Sequence, residues 1–486
     1  MVRRMLDPND EILQHVRDLT IEDFSGDSRV FNQTSLKAII GNLKQLNAFS
    51  WNAAKWIPED VITKLEDQWP DARLSVTNHR RLDAADEDMN IDIRLLSSPL
   101  LHSLRFTIHY LGIGTDNGTL SELPKLKEIL LKSSRLKVLH LKLCQGIPTY
   151  PNDYRRFKID ISKAPQWLYL PLLPSDRLTP LHELMLSDWP PYYLSRQHCE
   201  IWRECMDWSQ LRCLDLGAGC PGNFFEALLG RVPNLKSLRM GFDTTSRPYG
   251  RLTCVDPTFV QGFIESIDSL HELFITNQVR DPGILFPAIV KHHESLQTLA
   301  FHTPPDTSFR HSGPGVWTTE QLTQLREQFT KLSRLEIDLS LADSKLPSPT
   351  TTALALFSHL RAMKLYLEIP IEACDFSDEY RYDVWGAELP PPLIRDKCND
   401  LAVSLFQQFF KNNLHSLLTH LEVCFIRLDI WDSIDSETVI NPLHVRRSER
   451  DDAPRPGEGG FRVEFVSRWS RMACREGRAY KKRELD

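Results

Sequence analysis

The chain lacks most of the local signatures that announce an enzyme, a secreted protein or a membrane protein. No run of about 18 apolar residues occurs, the length a helical membrane span needs. The start, Met1-Val2-Arg3-Arg4-Met5-Leu6-Asp7, turns polar at once, so no apolar signal core follows the two arginines. The 10 cysteines include no C-x-x-C pair and no disulfide-dense segment, which fits free thiols in the cytosol or nucleus. No P-loop, no G-x-S-x-G and no H-E-x-x-H is present; His182-Glu183 and His271-Glu272 have no second histidine at the required spacing. His198-Cys199 with Cys205, Cys213 and Cys220 matches no compact zinc spacing, so these read as small buried thiols. His292-His293 reads as the end of a helix, where the dipole favours such residues. No strong charge imbalance exists either: 58 Lys and Arg stand against 65 Asp and Glu, a net charge of -7 that disfavours nucleic acid as a partner.

What is present is a repeat. Apolar residues recur as apolar-x-x-apolar-x-apolar, beginning with Leu101/Leu104/Phe106, Leu136/Leu139/Leu141, Leu181/Leu184/Leu186 and Leu211/Leu214/Leu216. The series continues through Leu235/Leu238/Met240, Leu270/Leu273/Ile275, Leu296/Leu299/Phe301, Leu332/Leu335/Ile337, Leu360/Met363/Leu365 and Leu418/Leu421/Val423. Weaker copies precede these at Val16/Leu19/Ile21, Leu46/Phe49/Trp51 and Asp71/Leu74/Val76. Positions four and six lie two apart on a strand and point inward together, while the first residue plugs the core where the chain joins the strand. Helix signals fall between the copies. Asp256-Pro257, Asp281-Pro282 and Thr318-Thr319-Glu320 each precede an apolar periodic stretch.

Strand, loop, helix and strand again is the unit of an α/β solenoid, in which each coil packs only on its neighbours. At 486 residues the chain is too long for one ordinary core, and an array removes that limit. The expected fold is therefore α/β, a leucine-rich-repeat-like horseshoe of irregular repeat length. First-residue spacings of 24 (211 to 235) and 26 (270 to 296) fall in the usual range of about 20–29, whereas 35 and 36 exceed it. An ordinary α/β domain whose parallel strands begin with leucine is the other reading. The expected organisation is a lead-in over 1–15, a solenoid over 16–430, a flexible link over 431–460 and a basic tail over 461–486. The tail holds eight Lys and Arg against four Asp and Glu.

Val16-Arg17-Asp18-Leu19-Thr20-Ile21, Leu43-Lys44-Gln45-Leu46-Asn47-Ala48-Phe49-Ser50-Trp51 and the Leu-x-x-Leu-x-Leu hexads after them resemble one known group. These are the divergent filamentous-fungal F-box proteins with leucine-rich-repeat-like regions, and the resemblance covers the repeat region. It implies a substrate receptor of an SCF-type ubiquitin ligase, or a remnant of one. The F-box would open with a Leu-Pro-x-Glu-like motif and three apolar helices, but the first repeat-like strand already begins at Val16. The F-box is thus expected to be absent, and the cullin-linking adaptor a partner only if one precedes this chain. Residues 1–15 are expected to be too few and too polar to cover the Val16 strand.

The implied activity is protein binding, without cofactor, metal or membrane. Residues between the anchors face out from the sheet. At position five these include Arg105, His140, Met185, Asp215, Arg239, Phe274, Ala300, Glu336, Lys364 and Glu422; at position seven, Lys142, Ser187, Thr276, His302, Asp338 and Tyr366. Arg105, His140, Arg239, Phe274, Glu336 and Lys364 are the candidate partner contacts. Long insertions rich in Pro, Tyr and Trp supply Trp317 and Trp385, which either anchor a partner or pack down as a lid. The competing enzymatic reading is an S-adenosylmethionine-dependent methyltransferase. Cys213-Leu214-Asp215-Leu216-Gly217-Ala218-Gly219-Cys220-Pro221-Gly222 resembles that family's first motif, with Gly217–Gly222 as the cofactor loop and Asp243 as the ribose-binding acid. Because Leu211, Leu214 and Leu216 keep the hexad frame, those glycines also read simply as a relaxed turn.

Overall fold

Each hexad becomes a strand, and helices lie between most successive hexads. The computed structural model describes residues 2–22, 33–53, 57–78, 93–110, 123–145, 170–187, 196–217, 222–242, 256–277, 282–302, 317–339, 348–368, 404–405, 418, 420–427, 438–447 and 461–465. The chain divides into two units, Met1–Leu235 and Lys236–Asp486.

In the first unit the strands are β1 (Asp18–Ile21), β2 (Ala48–Trp51), β3 (Arg73–Asn78), β4 (Leu101–Tyr110), β5 (Val138–Gln145), β6 (Glu183–Ser187) and β7 (Cys213–Asp215). Each pairs in parallel with the next in sequence. The helices are α1 (Val2–Met5), α2 (Gln33–Asn42), α3 (Glu59–Gln68), α4 (Ile93–Leu96), α5 (Leu123–Lys132), α6 (Arg196–Cys205) and α7 (Gly222–Leu228). Parallel neighbours require a crossover, and helices lie in each of these except the one between β5 and β6, where the described residues 170–182 hold none. Their apolar faces are buried, as with Val61, Ile62 and Leu65 of α3 or Leu123, Leu126, Ile129 and Leu130 of α5.

The second unit repeats the plan. Strands β8 (Ser237–Phe242), β9 (Glu272–Asn277), β10 (Thr298–His302), β11 (Arg334–Leu339), β12 (Ala362–Glu368) and β13 (His420–Arg427) are parallel, with α8 (Pro257–Glu265), α9 (Phe286–Val290), α10 (Thr319–Gln328) and α11 (Ser348–Ala355) between them. Asp256 caps α8 by accepting from the Thr258 N–H, with Pro257 at the first turn. At α10, Thr318 and Gln321 form a reciprocal capping box. The stretch after Asp281 is broken: a 3-10 turn at Pro282–Ile284 precedes the short α9.

One backbone device recurs in both units. The carbonyl of hexad position two accepts two N–H groups from positions two and three of the next coil. In the first unit, Lys137 O takes the His182 and Glu183 N–H groups at 2.8 and 3.1 Å, and His182 O takes those of Arg212 and Cys213 at 2.8 and 3.0 Å. In the second, Lys236 O serves His271 and Glu272, and His271 O serves Gln297 and Thr298. Gln297 O serves Ser333 and Arg334, and Ser333 O serves Arg361 and Ala362. Leu104, Leu139, Leu184 and Leu214 align as a result, as do Leu238, Leu273, Leu299, Leu335, Met363 and Leu421. All three anchors of all ten clear hexads are at most 4 % exposed, so the repeat frame read from sequence is the core.

The weaker hexads need correction. In the third, Asp71 is exposed and Ala72 is the buried residue. Val76 pairs with Leu104, and an irregularity after Leu74 offsets β3 from β4 by two residues relative to the hexads. An even slip keeps the inward face inward, so the core tolerates it.

The lead-in packs on the end of α2, while Val16 and Leu19 of the first hexad stay half-buried. Asp10 caps a 3-10 turn at Glu11–Gln14, whose Leu13 is fully buried along with Met5. Asn42 at the end of α2 donates to the Met5 and Leu6 carbonyls, and the Lys44 N–H to that of Leu13.

At the other end the ladder runs past residue 430. Antiparallel β14 (Thr438–Arg447) pairs with β13 inside the stretch read as a flexible link, and β15 (Phe461–Phe465) pairs with β14 inside the one read as a tail. Leu443-x-Val445 and Phe461-x-Val463-x-Phe465 alternate at strand period, a signal that a leucine hexad used as template passes over.

Leu299 lies at the centre of the second unit with no exposed surface. Leu299→Ala should cost about 3 kcal/mol in denaturant melts and Leu299→Asp more, whereas Lys331→Asp at an exposed turn should change stability by under about 0.5 kcal/mol. A small loss at Leu299 would show that the repeat frame is wrong.

Candidate functional site

Strand parity places positions five and seven opposite the buried anchors, on the open face of each sheet. In the first unit Arg105, His140, Met185 and Asp215 align laterally across β4 to β7. Arg105 is exposed. The His140 Nε2 lies 3.6 Å from a Glu183 carboxylate oxygen. Burial and then the Arg105 charge push the His140 pKa below its ordinary value, against the opposing pull of Glu183 and Asp215.

In the second unit Arg239, Phe274, Ala300, Glu336, Lys364 and Glu422 form the position-five row. The Arg239 guanidinium sits 4.6 Å above the Phe274 ring centre. Lys364 Nζ pairs with Glu422 Oε1 at 2.9 Å and lies 5.1 Å from the Tyr366 centroid. Arg334 Nε donates to Glu336 Oε1 at 2.8 Å. Position seven adds a tight group: His302 Nδ1 donates to Asp338 Oδ1 at 2.6 Å, and the His302 ring stacks on Tyr366 at 3.7 Å and 15°. Thus β10, β11 and β12 hold a continuous chain of carboxylate, imidazole, phenol ring, ammonium and, from β13, carboxylate.

The expected sites fare unevenly. Arg105 and Arg239 are exposed; His140, Phe274 and Lys364 are half-buried on the open face. Glu336 is 8 % exposed, and Ala300, Thr298 and Asp338 are buried beside it, so the open face over β10 and β11 is not the solvated surface expected there. Trp317 is a correction. It precedes the α10 cap, is 2 % exposed, and meets Phe286 and Phe301 edge-on at 5.6 and 5.5 Å, so it is core, as the lid alternative for that residue required. Trp385 lies outside the described residues. The grouping of His302, Asp338 and Tyr366 was missed, although all three occupy position seven of successive hexads. That coincidence of position is the signal that could have found them.

Two histidines are structural. His292 is buried at the end of α9, where its Nδ1 accepts from the Leu270 N–H and its Nε2 donates to the Ile264 carbonyl; burial lowers its pKa. His198 on α6 packs beside Trp202, and burial pushes its pKa down to about 4. The neighbouring Cys199 and Cys205 are buried, with the Cys199 thiol pushed up to about 12 by burial. At the glycine-rich turn, the Asp215 carboxylate accepts from the Gly217 N–H at 2.9 Å, and Gly217 holds a left-handed φ of 65°. Residues 218–221 and Asp243 lie outside the described residues. Among the described residues, no helix is long and apolar enough to cross a membrane.

The fold and these rows define an α/β protein of repeated strand–helix coils with one face of each sheet open. No family model matches the chain, and no curated protein matches it.

His198 and His292 are favoured neutral in the folded protein, so their contribution to stability is complete above pH 6.5 and is lost as pH falls toward the folded values. For His198 the fall between pH 7.5 and pH 5 should be about 2 kcal/mol. Denaturant melts across that range should show His198→Phe losing markedly less stability than wild type, and an equal loss would remove His198 from the account.

Proposed function

We propose that the chain is a protein-interaction module of the leucine-rich-repeat-like, horseshoe type, and that its partner is a protein docked on the open strand face. The observation that carries this reading is the chain of Asp338, His302, Tyr366, Lys364 and Glu422 across β10 to β13. Stacked rings held by paired charges present flat, rigid, amphipathic area at little entropic cost, the chemistry that interface anchors use. Each acid has a basic neighbour on the same face, so the surface is mixed in sign and suits a protein better than a polyanion. The role follows the class the hexads resemble: presentation of a substrate protein to an SCF-type ubiquitin ligase, in the cytosol or nucleus, with the adaptor bound only where an F-box accompanies the repeats. The reading is of a binding protein without catalysis.

Full-length chain immobilised in native extract should retain a protein that the double variant Lys364→Glu/Tyr366→Ala loses, while Glu200→Lys on the helical side retains it. Equal capture by all three forms would sink the open-face reading. Isothermal titration with S-adenosylmethionine should give no heat; saturable binding abolished by Gly219→Ala would replace it with the methyltransferase.

A further inference from the structure

We propose that the leading edge of the first unit's sheet, formed by Arg73, His102, Arg135, Lys137, His182 and Arg212, docks an acidic peptide segment of the protein partner. This rests on the interaction reading but uses a different surface, the hexad position-two row where the chain joins each strand. The Lys137 N–H donates to His102 O, that of His182 to Lys137 O and that of Arg212 to His182 O, each at 2.8 Å. Four position-two residues are therefore stacked one strand apart, about 4.8 Å each. Arg73 begins β3 beside them, and Arg135 lies two residues before Lys137.

All six can carry positive charge, and the backbone device does not require it. In the second unit the same position reads Lys236, His271, Gln297, Ser333 and Arg361. Nor is the charge compensated. Arg135 donates to the Pro70 and Asp71 backbone carbonyls at 2.6 and 3.1 Å, and Lys137 Nζ to Pro180 O at 3.1 Å. Carbonyls orient these cations without neutralising them. Among the described residues, Arg73, Arg135, Lys137 and Arg212 make no ion pair, while Glu183, the acid flanking His182, lies 3.6 Å from His140. The crowding is felt by the imidazoles. After burial, the charges of Arg73, His182, Arg135 and Lys137 lower the His102 pKa, and those of Lys137 and Arg212 lower that of His182, opposed only by Glu183.

Size and charge select the ligand. From β3 to β7 the ridge spans four strand spacings, about 19 Å, which about six residues of extended peptide cover. Arginines match carboxylates in paired hydrogen bonds, and the chain's net charge of -7 opposes a long polyanion elsewhere on its surface.

The test is fluorescence anisotropy of a labelled octaglutamate peptide with the full chain. Saturable binding is expected, weakening as salt is added and tightening from pH 7.5 to 5.5 as His102 and His182 gain protons. Arg73→Gln/Arg212→Gln should weaken it by about tenfold or more, and Lys364→Glu/Tyr366→Ala should leave it unchanged. Lys137→Gln/His182→Gln is the second variant, with the same loss expected, should the first fail to fold. No saturable binding, equal binding by the ridge variants, or tighter binding of a single-stranded octanucleotide would overturn the proposal. If the ridge fails while the open face still captures its partner, the ridge alone is wrong; if both fail, so is the interaction reading.

Discussion

The position-two carbonyl, accepting two N–H groups from the following coil, is the constraint on which the remaining structure depends. A parallel strand has no hairpin to set its register, so something else must fix where each coil meets the last. Here a single carbonyl pins two successive amides at 2.8 to 3.1 Å before the strand proper begins. Once that contact forms, Leu139 must lie beside Leu184, and Leu299 beside Leu335. Burial then strengthens what the hydrogen bonds aligned, because every anchor leucine gains apolar neighbours on both sides. The two-residue offset between β3 and β4 falls in the one region where the hexad is weakest, led by the exposed Asp71.

The same alignment creates three parallel rows with different physics. In the ten clear hexads, inward positions one, four and six are uniformly apolar and tightly packed. Position two, at the leading edge, brings together His102, Lys137, His182 and Arg212 in the first unit, and among the described residues Lys137 and Arg212 make no ion pair. Positions five and seven, on the open face, gather opposite charges that satisfy one another. Asp338, at 2 % exposure, illustrates the last case. A buried carboxylate is costly unless hydrogen-bonded, and the His302 imidazole donates to it at 2.6 Å. Tyr366 then holds that imidazole in plane, and Lys364 with Glu422 extends the network by one strand. Such a surface is stiff because each member is held by at least one other.

On the proposed reading the two surfaces divide the tasks of recognition. The rigid, charge-matched face would supply shape and contact area, and the basic ridge would attract an oppositely charged segment over a distance of about a Debye length. On the helical side, His198 with Cys199 is buried beside Trp202 and works as packing.

The sequence by itself determined the anchors, the strands and the alternation with helices, because apolar periodicity is local and a parallel sheet packed on one side leaves a strict pattern. It also placed Arg105, His140, Arg239, Phe274 and Lys364 on the open face, since parity along a strand needs no tertiary information. Only the tertiary structure decided which of those positions touch. Whether His302 meets Asp338 depends on residues 36 apart in the chain being brought side by side by register. Whether Trp317 anchors a partner or fills the core depends on Phe286 and Phe301 being waiting beneath it. The basic ridge was equally invisible, because its position-two members His102, Lys137, His182 and Arg212 are separated by 30 or more residues and become a row only when consecutive coils are hydrogen-bonded. Local pattern sets which way a side chain points; lateral register, a property of pairs of coils, sets what it meets.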